Sequence, residues 1–137
     1  MPHTNTLDNP AARVLCIDDN SDVLQLEKTI LEEAGYEVLL ASSGADGLNL
    51  ASDNMVEVVI LDCEMPKITG TELAHRIRAM HPRLPIIMVS GAEQPKETIG
   101  IVDSFLSKTQ MPATLVAEVK RLAWHWPITF MVLTEFC

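Results

Sequence analysis

From Val56 to Leu61 the chain reads Val-Glu-Val-Val-Ile-Leu, and it then stops on a carboxylate, Asp62. The run is rich in β-branched residues and does not alternate with polar ones. Such a segment is buried on both faces, as central strands of parallel sheets are. In open parallel sheets, ligands collect at the carboxyl ends of the strands. Asp62 is therefore expected where chemistry is usually found, followed by a turn at Met65-Pro66 that Gly70 closes.

Composition bounds what can surround that strand. The 137 residues suffice for one core and are too few for two ordinary domains. A hydrophobic share of 47% with 21% charged residues is globular. The net charge of −9 argues against nucleic acid or an anionic membrane as partner, and it suits a divalent cation. Cys16, Cys63 and Cys137 are odd in number and lack C-x-x-C spacing, which points to a reducing, cytoplasmic compartment. Residues 1–12 are expected to form a flexible leader, and their polarity excludes a signal peptide. No apolar run reaches the roughly 18 residues of a membrane span.

Taken in order, the pattern alternates strand and helix. Arg13–Ile17 is a short apolar strand ending on Asp18-Asp19, and a helix follows to Ala34, capped near Asn20 and stopped by Gly35. Tyr36–Leu40 is a second strand, and Ser42 or Ser43 opens a second helix. After the central strand, Thr71–Met80 is a third helix, ended by His81-Pro82. Pro85–Val89 is a fourth strand ending on Ser90-Gly91. The segment from Glu93 to Asp103 is weakly patterned, so the fourth helix should be a single turn or absent. Ser104–Ser107 is a fifth strand ending on Lys108, and the last helix starts at Pro112 and ends near Trp124. Five β-α units predict an α/β fold, a doubly wound five-stranded parallel sheet with right-handed crossovers. In the flavodoxin-like order 2-1-3-4-5, strands one and three meet at the switch point.

That order gathers Asp18, Asp19, Asp62, Ser90 and Lys108 along one edge. Singly, these residues have ordinary explanations: the aspartate pair suits a helix N-terminus, and Lys108 a solvated strand end. Together, three carboxylates raise one another's pKa unless a cation neutralises them. Mg²⁺ fits, since it accepts a few carboxylates and keeps several waters. Lys108 and Ser90 then complete a site for an oxyanion carried on a carboxylate, with Gly91 leaving room for a tetrahedral group.

These residues, with the run D-x-E-M-P-x-x-x-G from Asp62 to Gly70, resemble the receiver domain of two-component response regulators over about residues 12–124. The resemblance implies that Asp18 and Asp19 hold Mg²⁺, with the backbone carbonyl of Glu64 as a further ligand. It implies Asp62 as phosphoacceptor and metal ligand, Ser90 and Lys108 as its catalytic partners, and Ser90 and Phe105 as the signalling switch. Phosphoryl transfer would come from a histidine kinase or histidine phosphotransfer protein, and output would be docking on an unknown downstream protein. A receiver is not an enzyme in the ordinary sense, although it assists its own phosphorylation and dephosphorylation. The chain is thus expected to be a single-domain receiver, residues 13–124, with no room for an output domain.

The sequence departs from the family in three places. Thr109 follows Lys108 where most receivers have proline after a cis bond, so a trans bond is expected here. The fourth helix is shortened, at the family's usual output face. The tail, residues 125–137, is apolar, and Pro127 is expected to stop the helix. That tail should pack as a strand or arm on its own domain or on a second protomer, the latter giving a homodimer. The alternative function is an interaction module that binds partners regardless of phosphorylation. A flavodoxin-like carrier is disfavoured, because Asp18-Asp19-Asn20 would repel phosphate without a metal.

Overall fold

The computed structural model describes the backbone of residues 12–136 and the side chains as far as Ala123; the expected leader lies almost wholly outside the described residues. The sheet has the order β2-β1-β3-β4-β5, all parallel: β1 Arg13–Ile17, β2 Glu37–Ala41, β3 Val58–Asp62, β4 Ile86–Ser90 and β5 Ser104–Ser107. Helices α1 Ser21–Glu33, α2 Gly44–Asp53, α3 Gly70–Met80 and α4 Met111–Phe136 cover its faces. The doubly wound fold expected from the β-α alternation is the one observed.

Local chemistry sets the helix starts. The Asn20 side chain accepts from the Asp22 and Val23 N–H groups, Ser43 from Asp46 and Thr69 from Glu72. Each cap satisfies a donor that the first helical turn leaves without a partner. The core lies on both faces of the sheet. On one side Leu15, Ile17, Val59, Leu61 and Met88 pack with Leu73, Ala74 and Ile77 of α3. On the other, Val14, Cys16, Ile60 and Val89 pack with Leu24 and Leu31 of α1 and Leu115 and Val119 of α4. All five residues of β3 are buried, as its non-alternating sequence requires.

The β4–β5 crossover holds one 3-10 turn, Lys96–Thr98, in place of a helix. Pro95 and Gly100 bracket it, and Gly100 has φ +89°. No cis peptide occurs among the described residues, so Lys108-Thr109 is trans as expected.

The end of the last helix corrects the sequence reading. Pro127 does not stop α4, whose backbone stays helical to Phe136, so the tail is a helix and not the strand offered as one alternative. Proline removes one rung of the ladder and its ring crowds the carbonyl four residues back, a local cost that can kink a helix without ending it. From Ile128 onward the N–H groups again have carbonyls four residues back, and the helix resumes.

Candidate functional site

The sheet's register assembles the site. Ile17 of β1 is level with Leu61 of β3, so the next residues, Asp18 and Asp62, emerge side by side. Asp62 is level with Val89, which puts Ser90 one step beyond it, and Ser90 is level with Ser107, the residue before Lys108. Backbone bonds fix these exits: Asp18 N–H donates to Ala41 O (3.1 Å), Cys63 N–H to Val89 O (2.9 Å) and Lys108 N–H to Ser90 O (2.8 Å).

Asp18, Asp19 and Asp62 each present a carboxylate oxygen, all within 4.8 Å of one another. Asp18 and Asp62 are buried and Asp19 is exposed. Lys108 Nζ stands 3.2 Å from Asp62 Oδ1 and 4.0 Å from Glu64 Oε1. The closer contact is an ion pair, and Asp62 Oδ1 has no other partner among the described residues. Burial pushes the Asp18 carboxyl up to about 6; the Asn20 N–H and Lys108 oppose this, and Asp62 and Asp19 add to it. Burial also raises Asp62, against the pull of Lys108 and of the Glu64 N–H. Burial is the largest single influence on Lys108 and lowers its pKa, but the carboxylates of Asp62, Asp18 and Glu64 together outweigh it and hold the ammonium above its usual value.

This donor set fits a small, hard divalent cation. The oxygens are carboxylates, they converge, and one buried oxygen has no hydrogen bond to lose. Burial raises the Asp18 and Asp62 carboxyls, and a cation beside them would offset that cost.

Gly70 shapes the loop after Asp62. Its N–H donates to Cys63 O (3.0 Å), and a Cβ there would stand 2.5 Å from Asp62 O and 2.6 Å from Cys63 Cα. Only glycine allows α3 to start so close to the end of β3. Ser90 is fully buried, Phe105 is half-buried against the core of the α2–α3 face, and Cys16 and Cys63 are free thiols.

Two side chains here were not singled out by their sequence. The Glu64 carboxylate accepts from the Ser90 hydroxyl (2.6 Å) and, at 3.5 Å, from the Gly91 N–H. Glu27 of α1 lies 2% exposed behind the acidic cluster, with Oε1 unpartnered and its carboxyl beside the Cys16 thiol. Burial first, then the charge of Asp18, pushes Glu27 up to about 8. Its position was legible: Glu27 falls between Leu24 and Leu31 on the helix's apolar stripe.

The sequence model described as the response regulator receiver domain matches residues 14–120. The chain belongs to this family. It is 34% identical over 114 residues to the transcriptional regulatory protein PrrA of Mycobacterium tuberculosis, covering 80% of this chain and 49% of that protein. It is 27% identical over 114 residues to PhoP of Bacillus subtilis, a transcriptional regulatory protein of alkaline phosphatase synthesis, covering 80% and 48%. The chain thus spans about half the length of the curated relatives it matches. Among solved structures, a CheY-like receiver of Methanospirillum hungatei aligns with TM-score 0.79 at 27% identity, covering 84% of this chain and 95% of the other. The response regulator TrrA of Thermotoga maritima, solved in complex with Mg²⁺-BeF, aligns with TM-score 0.76 at 31% identity, covering 81% and 98%. Receiver domains are signalling domains of two-component systems rather than enzymes in the ordinary sense. Among the described residues, no helix is long and apolar enough to cross a membrane.

Proposed function

We propose that the chain is a Mg²⁺-dependent phosphoacceptor, and that Asp62 receives a phosphoryl group from a histidine kinase or histidine phosphotransfer protein. The observation that carries this reading is the position of Asp62: buried, within 4.8 Å of two further carboxylates, and 3.2 Å from an ammonium. Asp18, Asp19, Asp62 and the Glu64 carbonyl would hold the cation, which supplies charge neutralisation for the incoming phosphoryl oxygens. Asp62 provides the nucleophilic oxygen. As its bond to phosphorus forms, the bond from phosphorus to the donor imidazole nitrogen breaks and its electron pair stays on that nitrogen. Lys108 neutralises charge gathering on the phosphoryl oxygens, and Ser90 donates a hydrogen bond to one of them. Ser90 must first leave Glu64, and that exchange, followed by Phe105, is the signal passed to the surface.

A cytoplasmic setting and docking on a downstream protein complete the reading, with the C-terminal segment joining two copies. The longer relatives are named as transcriptional regulators; this chain matches the receiver half of them. A second reading, partner binding without phosphorylation, is favoured by the single 3-10 turn where a fourth helix would present output, and by the Ser90–Glu64 bond.

Intact mass after incubation with acetyl phosphate and Mg²⁺ separates the two. One phosphoryl increment is expected, absent in Asp62→Asn and in EDTA. If beryllofluoride binds but no increment appears, the site needs its kinase. If neither is seen, the phosphoacceptor reading fails.

A further inference from the structure

At the end of the sheet opposite Asp62 lies a groove of about 890 Å³. It is formed where the chain enters β3 and β4 and where α4 passes by, and its apolar wall includes Ala51, Met55, Val56, Leu84, Pro85 and Leu122. Met55 stands 78% exposed at its lip. The polar residues of the rim are largely spoken for. His81 Nε2 pairs with Ala51 O, and Glu57 accepts from the Arg13 N–H. Arg83 has no ion-pair partner among the described residues.

The occupant is indicated by where the chain goes next. Leu122 and Ala123 line the groove, and the sequence continues Trp-His-Trp-Pro-Ile-Thr-Phe-Met-Val-Leu-Thr-Glu-Phe. That segment carries one acid, Glu135, and neither Lys nor Arg. An apolar stretch of this length is rarely left uncovered in water. It is also part of α4, which remains one helix to Phe136. Each residue past Ala123 lies about 1.5 Å further along that helix, so the backbone of the segment runs on beyond Leu122 and Ala123.

We propose that residues 124–136 of a second copy of the chain occupy this groove, reciprocally, in a two-fold dimer. This rests on the self-association named above and assigns its receiving surface. Two-fold symmetry uses the contact twice, so a helix roughly 20 Å long on each side contributes to one closed interface. The acid at position 135 and Arg83, a cation with no ion-pair partner among the described residues, are complementary in sign. The dimer forms at the edge remote from Asp62, so it leaves the phosphoacceptor open to its donor.

The test measures mass by light scattering on the full chain, on Met55→Glu and on Phe130→Glu, with circular dichroism to show that each is folded. Wild type is expected as a dimer. Each substitution puts a carboxylate into an apolar contact and should raise the dimer Kd at least about tenfold. Mixing the two variants should partly restore dimers, because the intact segment of one copy meets the intact groove of the other. If Phe130→Glu dissociates the dimer and Met55→Glu does not, the segment associates elsewhere and the groove assignment fails. No recovery on mixing overturns the exchange between copies. A monomeric wild type overturns groove and self-association together. Acetyl phosphate uptake, unchanged in both variants, keeps these outcomes separate from the phosphoacceptor reading.

Discussion

The Ser90 hydroxyl donates a 2.6 Å hydrogen bond to Glu64 Oε2, two residues beyond the Asp62 carboxylate. A carboxylate thereby holds the hydroxyl, with its Oε1 4.0 Å from Lys108 Nζ, where phosphoryl oxygens would need both. Removing it should release Ser90 and take one negative charge from the path of an anionic donor. Glu64→Ala is expected to take up phosphoryl from acetyl phosphate about 3- to 10-fold faster, on the order of one hydrogen bond to a charged group discounted for exposure. Stopped-flow or mass time courses check this; an unchanged rate would mean Ser90 leaves Glu64 at no cost.

The cation prediction follows from the raised Asp18 and Asp62 carboxyls. Burial is what chiefly raises them, and a cation that binds only the folded state offsets the cost of holding these carboxylates charged, so Mg²⁺ should raise the thermal midpoint. Asp18→Asn should abolish that Mg²⁺ gain and, in EDTA, melt at or above wild type, since one buried charge has gone. A variant that keeps the full Mg²⁺ response would remove Asp18 from the ligand set.

Gly70 permits no side chain, because Asp62 O and Cys63 Cα lie 2.5 and 2.6 Å from where a Cβ would be, and both are backbone. Gly70→Ala is expected to destabilise by about 1–3 kcal/mol and to displace the Asp62 loop. Urea unfolding gives the first. The second would show as a loss of phosphoryl uptake larger than any unfolded fraction explains.

Much of this was legible in the sequence because backbone physics carries it. The apolar, non-alternating, β-branched run before Asp62 reads as a central strand, and strand order then placed Asp18, Asp62, Ser90 and Lys108 on one edge. Pro95 and Gly100 foretold the missing fourth helix. Pro127 misled: a proline's penalty is local, one lost rung and one crowded carbonyl, and the sequence pattern alone does not say that the ladder resumes. Glu64 was noted for its carbonyl, because its side chain's direction depends on the loop that Gly70 tightens. Glu27 sat on an apolar stripe in plain view, but its consequence depends on what packs above it, Cys16 and the acidic cluster.

Glu27 makes stability depend on pH in a direction opposite to that of an ordinary paired carboxylate. Its pKa rises from about 4.5 in the unfolded chain to about 8 in the native one, chiefly through burial. Below 4.5 both states hold the proton and the residue costs nothing by titration. Between 4.5 and 8 only the unfolded chain releases it, so each pH unit favours unfolding by up to about 1.4 kcal/mol. Above 8 the native state ionises too and the penalty levels off. Glu27→Leu, close in volume and facing an apolar core, should therefore be stabilised over wild type by a margin that grows from pH 5 to pH 8. Chemical denaturation of both proteins across that range, in EDTA, checks the slope. A difference that is constant with pH would mean the carboxyl is already ionised in the folded state, held by contacts stronger than the Cys16 thiol.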